Sequence, residues 1–219
     1  MNFVPRKLKT LTRLLSDREK LKDYVITEGR YVLIRLGFTF YQTDRFFVGS
    51  DERRLLETLI LPWYSSRPGL CEVVFTGGQW YTMGYRKLFK SSRFRIMEIC
   101  PKAARRYGGK EVINDSCANS RSCFEPDSLD LVLFTAVFGF GLDTVEELTD
   151  ALNGFYRALR PGGELLFSLD DIPDHVPFDP LAIPAMQQFE PVLFEPLSTY
   201  KVVSNCKRRK TWIFLRKIK

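Results

Sequence analysis

The chain has 219 residues, 45% hydrophobic and 14% aromatic, with a formal net charge of +7. That is enough apolar material for one large domain, or one domain with an appendage, and no run reaches the roughly 18 apolar residues of a membrane span. Five cysteines without a C-x-x-C pair, and a single histidine, argue for reduced thiols in a cytoplasmic protein and against a zinc site.

The basic N-terminus lacks the apolar core and small-residue cleavage site of a signal peptide. Residues 1–24 read as a helix, with Leu8, Leu11, Leu14, Leu15 and Leu21 on one stripe. Phe38, Phe40, Tyr41, Phe46 and Phe47 then crowd a short span without clear periodicity. A second helix is expected over 50–60, capped by Ser50, with Leu55, Leu56, Leu59 and Ile60 inward. Pro62, Ser65, Ser66, Pro68 and Gly69 punctuate the chain, so the expected organisation is a cap or lid region, 1–69, and a main domain, 70–219.

The main domain opens on a short apolar strand, 71–75, followed by Thr76-Gly77-Gly78 and an expected helix to about Phe89. A strand, glycine turn and helix point backbone N–H groups at an anion. The next strand, 93–99, carries Glu98 at its end. An acid there, about 20 residues past the glycine turn, is placed to bond ribose hydroxyls; the alternative is a solvated strand-end carboxylate. A helix runs through Tyr107, Gly108 and Gly109 end it, and a third strand is expected over 111–114, closed by Asp115 and Ser116.

Residues 130–134 form an apolar run, the pattern of a strand buried on both faces. Thr144 with Glu147 fits a capping box. Val145, Leu148, Leu152, Phe155, Tyr156 and Leu159 share one helical face. Pro161 with Gly162 and Gly163 stops that helix before the strand 164–168. This is a strand, crossover helix and parallel strand, which places site loops at 135–142 and 169–175, outside the strands' carboxyl ends. The second loop holds Asp170, Asp171 and His175, the ionisable cluster beside the expected acceptor side. Segments 199–204 and 211–217 read as a terminal antiparallel hairpin whose basic turn is a solvated loop.

The wording SLDLVLF…ALNGFYRALRPGGELLF resembles the second half of a class I S-adenosylmethionine-dependent methyltransferase. AVFGFGLD, RALRPGG and DDIP resemble more closely a group of small bacterial methyltransferase-like proteins, over roughly residues 71–217. The resemblance implies an α/β fold: a doubly wound, mostly parallel seven-stranded sheet with a terminal antiparallel hairpin and an N-terminal helical cap. It also implies S-adenosyl-L-methionine as cofactor. The first motif departs from the usual glycine pattern: Phe75 stands where an acid belongs, Gln79 replaces the second glycine and Tyr81 the third. The small bacterial group carries a similar G-x-[QEW]-W-Y-T version. By this resemblance Gly77, Gly78, Gln79, Trp80 and Tyr81 hold the cofactor's amino-acid end, Glu98 its ribose, and Asp115 with Ser116 its adenine, with Thr135 closing the site. A plain turn-forming aspartate is the other reading of Asp115.

Methyl transfer demands proximity and alignment rather than a diagnostic triad. Tyr41, Phe47, Phe138 and Phe140 are expected to line an apolar acceptor pocket, with Asp170, Asp171 or His175 accepting a proton or orienting the nucleophile. Charge is uneven: residues 1–70 carry 13 basic against 8 acidic side chains, 71–200 carry 12 against 18, and 201–219 carry 8 against none. The acidic middle favours a neutral or cationic small-molecule acceptor, methylated at nitrogen or oxygen, over nucleic acid. No metal is expected, and a homodimer is left open. The alternative is a non-catalytic binding or scaffold protein that keeps the fold with a degenerate cofactor loop. A dinucleotide enzyme is disfavoured by the missing G-x-G-x-x-G.

Overall fold

The computed structural model describes residues 51–170, 176–204 and 209–218, which belong to one compact unit spanning 40–219. The expected helix at 1–24 and the aromatic stretch at 38–47 lie outside the described residues. Seven strands form one sheet: β1 (Glu72–Thr76), β2 (Arg93–Met97), β3 (Leu129–Phe134), β4 (Leu159–Leu169), β5 (Phe189–Pro191), β6 (Lys201–Val203) and β7 (Thr211–Lys217). Their order is β2-β1-β3-β4-β7-β5, with β6 also on β7. The first four pair in parallel, and β7 runs antiparallel to β4, β5 and β6. The mostly parallel seven-stranded sheet and its terminal hairpin are therefore present.

Both faces are buried, and the strands alternate between two cores. Val74, Val132, Phe134, Leu165, Phe167, Ile213 and Leu215 face one side. Val73, Phe75, Leu131, Leu133, Leu166, Trp212 and Phe214 face the other. This period-two alternation with apolar residues on both faces is why residues 130–134 read as a continuous apolar run.

Among the described residues the helices are α1 (Asp51–Leu55), α2 (Leu61–Ser66), α3 (Pro101–Tyr107), α4 (Ser120–Cys123), α5 (Val145–Ala158) and α6 (Pro184–Gln187). The expected helix at 50–60 continues to Ser66, because a π turn, Leu56–Ile60, joins α1 to α2. Proline lacks a donor and its ring clashes with the carbonyl four residues back. The wider turn, in which Leu61 N–H bonds Leu56 O, admits Pro62 at the start of α2. Leu56, Ile60, Leu61 and Tyr64 then cover the second core.

On the first face, α5 lies between β3 and β4 as the crossover helix. Its capping box forms as the sequence predicts: Glu147 N–H donates to Thr144 Oγ1 at 3.2 Å, and Thr144 N–H to Glu147 Oε2 at 3.3 Å.

Two expectations are corrected. The segment after the glycine turn is not an α-helix but two 3₁₀ turns, Trp80–Thr82 and Tyr85–Lys87. Its side chains pack inward one turn at a time, with Tyr85 and Phe89 buried against Phe75 and Phe94. The expected strand at 111–114 shrinks to one parallel bridge, Met97 to Ile113. Beyond Ile113 the chain turns away, held by Asn114 Nδ2 on the carbonyl of Glu98 at 2.7 Å.

Candidate functional site

The carboxyl ends of β1, β2, β3 and β4 open on one cavity of about 300 Å³. That is the lower end of the roughly 300–1,000 Å³ typical of small-molecule sites. At the end of β1, Thr76 clasps β3: its hydroxyl accepts the Thr135 N–H at 3.0 Å and donates to Leu133 O at 3.2 Å. Gly77 follows with φ of +84°, a conformation that glycine adopts at little steric cost. Its N–H bonds Met97 O at 2.9 Å, fixing the turn against β2.

Glu98 ends that arrangement on the β2 side. It is buried, and its two oxygens hold the two loops beside it. Oε2 accepts the Gly78 N–H at 2.6 Å and Oε1 the Cys100 N–H at 2.8 Å. A Cβ on Gly78 would lie 3.1 Å from Ile96 Cγ2, so this close approach favours glycine. Each carboxylate oxygen retains acceptor capacity toward the cavity it lines.

Past the bridge at Ile113, Asp115 Oδ1 accepts the Ser116 N–H and Asn119 Nδ2, both at 2.7 Å. Both Asp115 and Ser116 line the cavity with Ile99 and Cys117. Burial pushes the Cys117 thiol up to about 12, with the Glu98 charge adding to it, so it is no nucleophile at neutral pH. Ala136, after β3, holds a left-handed φ of +55° on the cavity wall.

The wall facing the glycine turn comes from α1. Arg53 stacks over the Tyr81 ring at 3.6 Å, and its Nη1 donates to Tyr85 Oη at 3.0 Å. The Tyr85 hydroxyl donates to Glu57 Oε1 at 2.6 Å, and Arg53 pairs with the same oxygen at 3.4 Å. Burial pushes Glu57 up to about 7, against the pull of Tyr85 and Arg53. Burial alone would lower Arg53, but Tyr85, Tyr81 and Glu57 more than offset it and hold the guanidinium above its ordinary value.

On the last wall, Asp170 Oδ1 sits 3.0 Å from Lys210 Nζ, both side chains buried, in an ion pair without hydrogen-bond alignment. Lys210 also lies 5.4 Å from the centre of the Trp212 ring.

Of the residues singled out in the sequence, Gly77, Gln79, Tyr81, Glu98, Asp115, Ser116, Thr135, Phe140 and Asp170 line this one cavity. Gly78 stands behind it, on Glu98. Phe138 does not line it: it is 1% exposed and packs on Phe167 and Phe178 in the core. Trp80 opens a 3₁₀ turn, and its side chain lies outside the description. Tyr41, Phe47, Asp171 and His175 also lie outside the described residues. Sequence reasoning missed Arg53, Tyr85, Lys210 and Trp212. Lys210 was within reach: once β4 and β7 pair with Leu169 opposite Thr211, Asp170 and Lys210 are neighbours. Nothing in the sequence of α1 marks Arg53.

No protein-family model matches the sequence, and no curated protein is similar to it at a significant level. Solved structures do match in fold. The N-methyltransferase NodS from Bradyrhizobium japonicum WM9, in complex with S-adenosyl-L-homocysteine, superposes with a TM-score of 0.57 at 15% identity, over 87% of this chain and 99% of that one. A SAM-dependent methyltransferase from Archaeoglobus fulgidus gives 0.54 at 15% identity, over 78% and 96%. The 1,6-didemethyltoxoflavin-N1-methyltransferase of Burkholderia thailandensis, holding that compound and S-adenosylhomocysteine, gives 0.53 at 15%, over 100% and 92%.

Proposed function

We propose, from the class I methyltransferase fold of the chain, that it transfers a methyl group from S-adenosyl-L-methionine to the nitrogen or oxygen of a small molecule. The observation that carries this reading is the convergence of Gly77, Glu98, Asp115 and Thr135, from four separate segments, on one cavity at the strands' carboxyl ends. The donor set fits the cofactor. Glu98 supplies carboxylate acceptors for ribose hydroxyls, Asp115 Oδ2 an acceptor for an exocyclic amine, and Ile99, Met97 and Leu142 apolar surface for a flat ring. Bound there, the cofactor supplies an activated methyl on a sulfonium.

What remains for the protein is alignment and exclusion of water. Phe140, Tyr81, Tyr85 and Trp212 give the cavity an aromatic wall. Its carboxylates, Glu98, Asp115 and Asp170, outnumber the cations Arg53 and Lys210 among the described lining residues, which favours a neutral or cationic acceptor such as an amine. Asp170, paired with Lys210 at 3.0 Å, orients the attacking group by accepting a hydrogen bond from it. The protein is proposed to act in the cytoplasm on a diffusible substrate.

The test is transfer of labelled methyl from the cofactor to a panel of small amines, phenols, carboxylic acids and RNA. Methylation of an amine or phenol is expected; robust methylation of RNA with none of any small molecule overturns the acceptor class.

A second reading, a binding protein with this fold and no cofactor, is favoured by one observation: 3₁₀ turns and the Tyr81 ring stand where a glycine-rich turn would lead into a helix. Failure to bind S-adenosylhomocysteine selects it.

A further inference from the structure

The backbone donors of the turn after β1 are largely occupied by the protein itself. Gly77 N–H is taken by Met97 O at 2.9 Å, Gly78 N–H by Glu98 at 2.6 Å, Gln79 N–H by Thr82 Oγ1 at 3.0 Å, and Thr82 N–H by Gln79 O at 3.0 Å. No α-helix follows, so there is no sustained stack of aligned amides whose dipole favours an anion. A carboxylate entering this end of the cavity loses its water and needs charge-assisted hydrogen bonds in return.

Among the described residues, Arg53 supplies such a donor group on the cavity wall. Arg53 lines the cavity beside Gln79, Tyr81 and Thr82, its side chain 21% exposed. Stacking on Tyr81 fixes the guanidinium plane, and Tyr85 and Glu57 both engage the same nitrogen, Nη1. Nη2 and Nε make no hydrogen bond among the described residues, which leaves two in-plane donors in a rigid fork. The other cation among the described lining residues, Lys210, is matched by Asp170 at 3.0 Å. Glu57 offsets Arg53 less completely, because burial pushes its carboxyl up to about 7 and part of it is uncharged at neutral pH.

We propose that Arg53 is the seat of the carboxylate at the cofactor's amino-acid end, a side-chain anion site that replaces the amides of a glycine-rich turn. The assignment rests on the cofactor reading above. It gives the Tyr81 ring a purpose at a position where a glycine would leave the guanidinium without a platform. It also makes the buried Glu57–Tyr85 pair a support that aims Arg53 rather than an isolated buried acid.

The test is calorimetric titration with two probes, S-adenosylhomocysteine and its decarboxylated analogue, against the full chain and its Arg53→Gln and Arg53→Lys variants. The wild type is expected to prefer the carboxylated probe. Arg53→Gln should weaken that probe by about ten- to a hundredfold while leaving the decarboxylated one unchanged. Arg53→Lys keeps the charge but loses the planar fork, and should fall between; it also serves should Arg53→Gln fail to fold. Equal changes for both probes, or no change for either, overturn the assignment to Arg53 while leaving the cofactor reading intact. A wild type that binds neither probe overturns the cofactor reading and this inference with it.

Discussion

Glu98 holds Gly78 by its backbone: Oε2 accepts the Gly78 N–H at 2.6 Å, joining the end of β2 to the turn after β1. The contact makes Glu98 both a wall of the cavity and a brace for the turn. Glu98→Ala should therefore weaken S-adenosylhomocysteine binding by about 1–3 kcal/mol. Gly78→Ala should weaken it as well, although Glu98 is intact, because the added Cβ meets Ile96 at 3.1 Å and pushes the two apart. Calorimetry on both variants checks this; unchanged affinity in Glu98→Ala removes Glu98 from the site.

Glu57 is expected to make stability fall as pH rises. Its folded pKa of about 7 lies above the ordinary value of 4.5, so between those values the folded protein binds more protons than the unfolded chain. The facing groups are Arg53 and Tyr85, which moderate the shift without cancelling it. Glu57→Gln removes the effect. Relative to wild type, the variant should gain up to about 3 kcal/mol between pH 4 and pH 8, read by urea denaturation at each pH. A constant difference between the two proteins across that range contradicts it.

The Asp170–Lys210 pair separates structure from function. Asp170→Asn leaves a buried ammonium without its counter-charge and should cost about 3–5 kcal/mol of stability. Pairing it with Lys210→Met removes that unpaired charge and should restore most of the loss. Under the proposed role of Asp170, the double variant recovers its melting temperature but not methyl transfer. Recovery of both assigns the pair to stability alone.

Gly154 sits in the interior of α5, where alanine would ordinarily stabilise by about 1 kcal/mol. Here a Cβ would fall 2.0 Å from Ser120 Oγ and 2.6 Å from Arg121 N, because α4 crosses α5 at this point. Gly154→Ala should instead destabilise by about 1–3 kcal/mol, the usual range for overpacking. A higher melting temperature in that variant contradicts the close crossing.

The sequence was most legible where a local pattern and a tertiary demand coincide. Thr144 and Glu147 cap α5 in any context, and the apolar run of β3 has one stable place, between two covered faces. Legibility fell where length or partners decide. Residues 111–114 have strand composition, but one bridge from Ile113 to Met97 is all the edge of β2 provides before Asn114 turns back on Glu98. The helix expected after the glycine turn gave way to 3₁₀ turns that set Tyr85 under Arg53 and Phe89 against Phe94. In the site, Glu98 was readable because strand-end acids have a fixed spacing from the turn before them. Arg53 was not, since its role depends on a ring 28 residues away, at Tyr81, and on a hydroxyl 32 residues away, at Tyr85.

The most direct measurement of the central claim is a calorimetric titration of the purified wild-type chain with S-adenosylhomocysteine. Saturable binding at one site per chain, weakened in Glu98→Ala, is expected. No detectable binding up to about millimolar ligand, an affinity below roughly 4 kcal/mol, would contradict it and leave the fold serving another purpose.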